Sequence, residues 1–419
     1  MKIISNQFIN NKIKSTRQSV TFNGYAACPL KNLYLQADSS TKSIELAKEI
    51  KQIGLKEFFN VFIQVGKEIY DPDNYPIKPN QRINSSISVW GQDNKIVVEN
   101  KDGGKDEIVA VSTKPNLAYL DYNAPELLAN TLQLNFRRQN SIVEYGNCFI
   151  GKNNKGEYYA IIGKDDQIRT SKKIALSEIP CEVNTYSDLS DVFKYKNLDF
   201  KNNKEKYEEK AKRQIAKDLN IKPKNIYFIS QPDFHLDMGI CPLKYPYVLV
   251  NDFNYSIEIL NKLSKTTNNA AIKQQLDELI ENTKNLKKET ESNYTDADTI
   301  CKELERYGFK VIKVPGRINN AGTNFMNSIV SQRPNGDLAY ITNKSCWHEE
   351  KKTNPPRINL NEIFEKVLKA KVPDIKQVYF VSGPKYDSGY EYVSNSLENK
   401  KAGVHCMICE HPNFSRWNV

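Results

Sequence analysis

One pattern of apolar and polar positions recurs along the chain: an amphipathic helix, a short break and an apolar strand. Apolar residues at helical spacing before a run of β-branched and aromatic residues predict a helix that packs on a sheet. Five such pairs of helix and strand are predicted, at 41–53 and 58–65, 125–134 and 142–150, 204–219 and 225–230, 295–307 and 309–314, and 359–368 and 377–382. The repetition favours a pseudosymmetric repeat architecture over two unrelated domains.

The segments between these units contain strand pairs, loops and one long polar stretch. Strands 148–152 and 158–164 are joined by Asn-Asn-Lys-Gly, which predicts a hairpin. Residues 319–324 are predicted as a loop that leads into a strand at 325–330. Residues 255–293 are polar and favour helix, so they are predicted as a helical insertion of one or two helices.

Composition and charge limit the class of protein without defining its function. No apolar stretch approaches the roughly 18 residues that a membrane span needs, and residues 1–20 contain no apolar leader segment. We therefore expect a soluble, cytoplasmic protein with reduced thiols, although export by a route that needs no such segment stays open. The net charge of +10 comes from scattered basic residues with acidic neighbours, so a nucleic-acid or membrane partner is not expected.

Two of the four histidines stand in short motifs that suggest covalent catalysis by a thiol. His235 and Asp237 lie two residues apart on a segment predicted to be extended, which places both side chains on one face. Asp233, just upstream, is expected to face solvent. A glycine turn precedes His405 and Cys406, and a thiolate, an imidazole and a carboxylate are the components of nucleophilic catalysis.

Cys406 leaves two other interpretations open. It could be a buried structural cysteine, because a thiol becomes a nucleophile only where its surroundings favour the thiolate. It could also belong to a zinc site formed by His405, Cys406, Cys409 and His411, although zinc ligands commonly form two separated pairs. On an extended segment, the side chain of His405 would point away from the nucleophile.

Two further motifs lie upstream. Trp90-Gly-Gln92-Asp93 ends a strand-like segment, and Glu144-Tyr-Gly-Asn147 opens one with a glycine that permits close backbone approach. Taken in order with His235-x-Asp237 and Gly-x-His-Cys406, these motifs resemble the pentein superfamily of guanidine-modifying enzymes, and most closely the catalytic domain of protein-arginine deiminases. The segment 412–418, Pro-Asn-Phe-Ser-Arg-Trp-Asn, is similar to the ending of that domain.

The resemblance implies an α/β fold, a five-bladed pseudosymmetric α/β-propeller. It covers residues 21–419 as one catalytic domain, with residues 1–20 as an N-terminal extension and the insertion at about 255–293. It also implies roles for individual residues. Cys406 would be the nucleophile, His235 the proton donor and acceptor, and Asp93 and Asp237 the carboxylates that clamp a guanidinium. Further substrate contacts would come from these residues: Trp90, Asn147, Arg137 and Arg138.

No cofactor is expected. Calcium sites of the resembled family use acids shortly after the first aspartate, where this chain has Asn94 and Ile96, and Gln92 alone matches. The implied activity is deimination of arginine in peptides or proteins to citrulline and ammonia. The alternatives are an agmatine or free-arginine deiminase of the same fold, and a non-catalytic pentein that binds a protein or RNA partner.

Overall fold

A computed structural model of the protein describes residues 25–38, 40–75, 91–99, 104–111, 123–177, 203–318, 323–345, 358–385, 391–400, 403–413 and 416–417. Trp90, the extension at 1–20 and most of the loop 319–324 lie outside these residues. The prediction for Trp90 therefore has no structural counterpart here.

The strands within the described residues are short. They are β1 Leu30–Gln36, β2 Asn60–Val65, β3 Glu68–Tyr70, β4 Lys95–Val98, β5 Glu107–Ala110, β6 Asn135–Arg138, β7 Cys148–Lys152, β8 Tyr158–Gly163, β9 Ile226–Ile229, β10 Ile240–Pro242, β11 Tyr247–Asn251, β12 Lys310–Val314, β13 Ser328–Gln332, β14 Leu338–Asn343, β15 Ile375–Val381 and β16 Ile408–Pro412.

The helices alternate with these strands, as the pattern predicts. They are α1 Lys42–Glu57, α2 Ala124–Leu132, α3 Lys164–Ser177, α4 Lys204–Asp218, α5 Phe253–Thr266, α6 Ala270–Asn293, α7 Ala297–Arg306, α8 Leu360–Lys371 and α9 Tyr392–Lys400. In α8, the Asn359 side chain accepts from the Glu362 amide, and Leu360, Phe364 and Leu368 form the buried face. A cap and an apolar residue every fourth position are sufficient to define this helix.

The strands form five small mixed sheets that share one topology. In each sheet the first two strands in the repeat are antiparallel, and a connection containing at least one helix leads to a third strand parallel to the second. The orders are β4-β5-β6, β7-β8-β9, β10-β11-β12, β13-β14-β15 and β16-β1-β2-β3. The predicted α/β class and the repeated unit are confirmed, as is the hairpin of β7 and β8.

The fifth sheet combines distant parts of the chain. β16 pairs antiparallel with β1, with Ile408 opposite Leu35 and Glu410 opposite Leu33, and β1 pairs parallel with β2. The repeat therefore begins within β16 and continues through β1, α1 and β2. The loop that precedes β16 contains Cys406.

One predicted strand is wrong. Residues 142–150 do not form the strand that follows α2. That strand is β6, which pairs parallel with β5, while a loop and a short 3-10 turn, Tyr145–Asn147, lead into β7. β6 has the sequence Asn-Phe-Arg-Arg and is only partly buried, so it lacks the apolar run that reveals a buried strand.

The predicted insertion contains two helices, α5 and α6, which pack on each other. Leu260, Leu276 and Leu279 are buried in the same apolar cluster as Val314 and Phe364. The helix pair thus covers part of the core of its unit. Among the described helices, none combines the length and apolarity that crossing a bilayer requires.

Candidate active site

A polar side chain lies in the loop before the first strand of each repeat. Asp93 precedes β4, Asn147 precedes β7, Asp237 precedes β10, Asn327 precedes β13 and Cys406 precedes β16. Because the sheets share one topology, these loops lie at the equivalent end of every sheet. The fold therefore offers one place where residues far apart in sequence can meet.

Hydrogen bonds connect these five loops in chain order, and the last loop returns to the first. Tyr145 N donates to Asp93 O at 3.3 Å, and Leu236 N donates to Asn147 Oδ1 at 3.1 Å. Asn324 Nδ2 donates to Met238 O at 3.2 Å. His405 N donates to Asn327 Oδ1 at 2.9 Å, and Gln92 N donates to Cys406 O at 3.0 Å. Asn147 and Asn327 thus each hold the loop of the next unit in place through a side-chain oxygen. Neither amide needs a substrate to find a partner.

Cys406 is fully buried, and its sulfur lies between a carboxylate and an amide. Asn327 Nδ2 donates to Sγ at 3.1 Å, and Sγ donates to Asp237 Oδ2 at 3.3 Å. Burial and the negative charge of Asp237 raise the pKa of the thiol well above its usual value. In the unliganded protein the sulfur therefore retains its proton at neutral pH.

Asp237 uses its two carboxylate oxygens differently. Oδ2 accepts from Asn327 Nδ2 at 2.8 Å and from His405 Nδ1 at 2.9 Å, in addition to the thiol. Oδ1 is buried and has no hydrogen-bond partner among the described residues. A buried acceptor without a donor costs free energy, so Oδ1 is prepared for a ligand that brings an N–H group.

His235 faces a carboxylate on each side of its ring. Nε2 lies 3.2 Å from Glu144 Oε2, and Nδ1 lies 3.8 Å from Asp93 Oδ1. Burial alone would lower the pKa of His235, but Asp93 and Glu144 outweigh it and raise that pKa to about 10. The imidazole is therefore protonated at neutral pH.

Asp93 is a buried acid whose charge is controlled mainly by its burial. Burial raises the pKa of Asp93 to about 7, although the nearby imidazolium of His235 acts in the opposite direction. Glu144 differs, because its hydrogen bond to His235 and its ion pair with Arg169 at 3.4 Å outweigh burial and lower its pKa to about 2. Glu144 remains ionised while Asp93 titrates near neutrality.

The missing side chain of Gly146 leaves room for the side chains of Asp93 and His235 in the loop before β7. A Cβ atom at this position would lie 2.3 Å from His235 Nδ1 and 2.8 Å from Asp93 Oδ1. The two atoms it would meet are themselves buried and, within the part of the chain that the structure describes, unpartnered. Any side chain at residue 146 would occupy space between the acid and the imidazole.

Four buried atoms on these residues have no hydrogen-bond partner within the part of the chain that the structure describes: Asp93 Oδ1, Asp237 Oδ1, His235 Nδ1 and His405 Nε2. Two are carboxylate oxygens, and the residues that bear them belong to different repeats. Such a pair suits a ligand with several N–H donors and a positive charge. A sulfur beside one of these acids supplies a nucleophile once it is ionised.

The described residues contain no arrangement that supports the zinc site considered from the sequence. His405 is directed to Asp237, whereas His411 lies 3.3 Å from Asp106 and 3.4 Å from the hydroxyl of Tyr34. Among the residues that the structure describes, no three His, Cys, Asp or Glu side chains are grouped to hold a metal ion.

Arg137 is not brought to the site. Its Nε lies 2.7 Å from Glu107, its second terminal nitrogen donates to the Asp218 carbonyl at 2.5 Å, and its first lies 3.7 Å from the Asp218 carboxylate. Arg138 lies 4.0 Å from Glu126 and donates to the Val111 carbonyl at 3.4 Å. The guanidinium of Arg137 is thus committed to acceptors outside the Cys406 site.

Two orientations predicted from sequence are wrong. The His405 side chain contacts Asp237, which also accepts from the Cys406 thiol. Residues 404–407 form a turn, and consecutive side chains do not alternate there as they do on an extended segment. Asp233 is buried and pairs with Arg317 at 2.6 Å instead of facing solvent. Asp237 also lies in a 3-10 turn, Leu236–Met238, and reaches the site without the extended geometry that the spacing suggested.

Sequence reasoning missed Asn327 and the contact of Glu144 with His235. Predicting a strand from residue 325 placed Asn327 inside it, whereas β13 begins at Ser328. The signal that could have found Asn327 is its position, since Asn147 and Asn327 each stand directly before the first strand of a repeat.

No protein-family model matches the chain, and neither does any curated protein. An agmatine deiminase from C. jejuni is similar in structure at 12% identity and a TM-score of 0.49, over 95% of this chain and 98% of that one. A DDAH from Pseudomonas aeruginosa is similar at 11% and 0.37, over 91% and 100%. An arginine dihydrolase of the ornithine–ammonia cycle in cyanobacteria is similar at 12% and 0.40, over 91% and 39%.

These three neighbours are penteins, the superfamily that the sequence motifs resemble. At such identities and TM-scores, the likeness alone assigns no activity to this chain.

Proposed function

We propose that this protein is a pentein hydrolase that acts on the carbon-nitrogen bonds of a guanidino group and deiminates arginine in peptides or proteins. The observation that supports this most is that a thiol beside one carboxylate and an imidazolium beside another are buried and close enough for the charge of each carboxylate to shift pKa values in the other pair, with an unpartnered oxygen on each carboxylate. The five sheets of like topology, with their loops joined from the last back to the first, are what a five-bladed α/β-propeller requires.

The substrate group fits the available atoms. A guanidinium is planar, always charged and donates through N–H groups in a fixed fork. Asp93 Oδ1 and Asp237 Oδ1 would each accept from it, which satisfies both buried oxygens. Bringing in the cation also favours ionisation of Asp93 and lowers the pKa of the Cys406 thiol by Coulomb attraction.

The reaction then proceeds in two halves. The Cys406 thiolate attacks the central guanidinium carbon, and a carbon-nitrogen bond breaks as His235 gives its proton to the departing nitrogen, which leaves as ammonia. The carbon is then held by sulfur as a thiouronium. Neutral His235 takes a proton from water, and the resulting hydroxide adds to the same carbon. The carbon-sulfur bond then breaks to release the thiolate, and the product loses one proton to solvent to give the neutral ureido group.

A smaller guanidine is the second candidate substrate. Arg137 or Arg138 is expected from the resemblance to contact the backbone of a peptide substrate, and the guanidinium of Arg137 is already engaged by Glu107 and Asp218. Without a contact from Arg137, a peptide would lose more binding free energy than agmatine or free arginine. A non-catalytic pentein has no need of the Asp93, His235, Asp237 and Cys406 set.

The test is colorimetric detection of ureido product from agmatine, free arginine and an arginyl peptide, assayed side by side in excess chelator. We expect product, with the arginyl peptide preferred, and no requirement for added calcium, because Asn94 and Ile96 replace the acids of the family's calcium sites. Turnover of agmatine alone would establish the second candidate. No product from any of the three, with or without calcium, would refute the hydrolase.

Two groups of the free protein, in addition to the Cys406 thiol with its raised pKa, determine where the slope of the pH profile changes. Asp93 must be a carboxylate to bind the cation, so kcat/KM is expected to rise as pH increases through about 7. His235 must carry a proton to give to the leaving nitrogen, so its deprotonation near pH 10 offsets the gain from ionisation of the Cys406 thiol, and kcat/KM is expected to stop rising as pH increases through about 10. Steady-state kinetics across this range measures both changes of slope, and a profile that falls between the two pKa values would contradict the assigned protonation states.

A further inference from the structure

His405 makes a contact that the proposed chemistry does not yet use. Its Nδ1 lies 2.9 Å from Asp237 Oδ2, and both side chains are 1% exposed. Phe149 stacks against the imidazole with ring centroids 5.6 Å apart and an angle of 22° between the planes. The His405 amide is also held by Asn327 Oδ1 at 2.9 Å. Ring plane and backbone are therefore both fixed.

The contact divides the Asp237 carboxylate into two unlike oxygens. Oδ2 accepts from His405, from Asn327 and from the Cys406 thiol, while Oδ1 has no partner within the described ranges. Three donors on one oxygen fix the rotation of the carboxylate about its final torsion angle. The oxygen left over is the one that a cationic ligand can reach.

Charge also links His405 to the sulfur. Burial lowers the pKa of His405, but the hydrogen bond and negative charge of Asp237, with smaller contributions from Glu410 and Asp93 when these are ionised, outweigh burial and raise that pKa. Asp237 lies 3.3 Å from Sγ, and its charge opposes formation of a second anion there. A positive charge on His405, which contacts the same carboxylate oxygen, reduces this repulsion. Glu410, buried and with a pKa raised by burial to about 7, adds little negative charge below that pH.

We propose that His405 acts as a positioning residue in its imidazolium form. It holds the Asp237 carboxylate with Oδ1 toward the substrate and offsets the negative charge that opposes ionisation of the Cys406 thiol. This deepens the proposed function and rests on it for the role of Oδ1, but the effect on the thiol does not depend on which substrate the protein uses.

The test compares His405→Asn with the matched control His411→Asn. An asparagine Nδ2 can replace the Nδ1 donor but carries no charge. His411 is a second buried histidine on β16, and its Nε2 lies 3.3 Å from the Asp106 carboxylate, so the same substitution can be made there. Both variants are checked for folding by thermal unfolding before any other measurement.

The first measurement is alkylation of Cys406 by iodoacetamide at fixed neutral pH, with the modified residue located by peptide mass spectrometry. The reagent is neutral, so its reaction reports the thiolate fraction without using the carboxylate clamp. We expect His405→Asn to react about tenfold more slowly than the unchanged protein, which corresponds to a thiol pKa raised by about one unit. His411→Asn is expected to react at the original rate.

The second measurement separates orientation from charge in the kinetics. His405→Asn keeps a donor to Oδ2, so KM for the guanidine substrate is expected to stay within about twofold while kcat falls about tenfold with the thiolate fraction. His405→Leu removes the donor as well, so KM is expected to rise in addition. Equal rates of alkylation in His405→Asn and His411→Asn would overturn the inference.

Failure of the proposed function has a different signature. If the unchanged protein releases no ureido product from any guanidine while His405→Asn still slows alkylation, the hydrolase proposal fails and the control of the thiol by His405 stands. If alkylation is unaffected and turnover is normal, the hydrolase proposal stands and His405 has no part in it.

Discussion

Cys406→Ala is expected to abolish formation of the ureido product, with a loss of roughly a thousandfold or more in kcat. In the proposed reaction the sulfur forms the covalent bond that divides the reaction into two steps, and alanine offers no nucleophile. Cys409→Ala is expected to retain activity. Cys409 lies on β16 opposite Tyr34, and the Cys409 thiol is 3.9 Å from the Glu410 carbonyl. Ureido detection on the two purified variants measures the difference.

Cys409 is a suitable control because it is also buried and differs from Cys406 chiefly in its surroundings. Burial raises the pKa of both thiols, but only Cys406 contacts Asp237 and Asn327. Comparable activity in the two variants would show that the nucleophile has been misassigned. A protein-bound adduct, detected by intact mass on the unchanged protein and missing from Cys406→Ala, would support the assignment directly.

Gly146→Ala is expected to reduce kcat/KM by about a hundredfold or more without unfolding the protein. The added Cβ would enter the space between His235 Nδ1 and Asp93 Oδ1, so one of these side chains has to move. Displacement of a catalytic group by about 1 Å is sufficient for a loss of this size. Steady-state kinetics with the best guanidine substrate, alongside thermal unfolding, measures the effect.

Gly151→Ala provides a steric control in the same repeat. Its Cβ would meet the Tyr159 ring at 2.4 to 2.7 Å, inside the core and away from the site residues. This change is expected to lower thermal stability through overpacking while the folded fraction keeps its activity. If Gly146→Ala were as active as the unchanged protein, the space beside His235 would not be needed for catalysis.

The repeat was predictable from sequence because each helix shows its buried face at a period of about four residues. α8, with its Asn359 cap and apolar Leu360, Phe364 and Leu368, needs no tertiary information to be recognised. β6 could not be recognised in the same way. Its only apolar residue is Phe136, and it becomes a strand because β5 offers an edge for parallel pairing.

The residues of the site were easier to predict than their orientations. Asp93, His235, Asp237 and Cys406 stand in motifs of unusual composition, but the direction of each side chain depends on local turns. The turn at residues 404–407 directs His405 to Asp237, and no alternation rule applies there. Asn327 is one asparagine among many in the sequence. Only the packing of its loop against that of Cys406 distinguishes it.

The pairing of β16 with β1 has a consequence for synthesis of the protein. Ribosomes make β1 early and β16 last among the described strands, so the fifth sheet cannot close on a nascent chain until residue 412 has emerged. Only then can the Cys406 sulfur contact Asn327 and Asp237. A polypeptide still being translated would therefore hold an incomplete pocket that lacks the Cys406 sulfur.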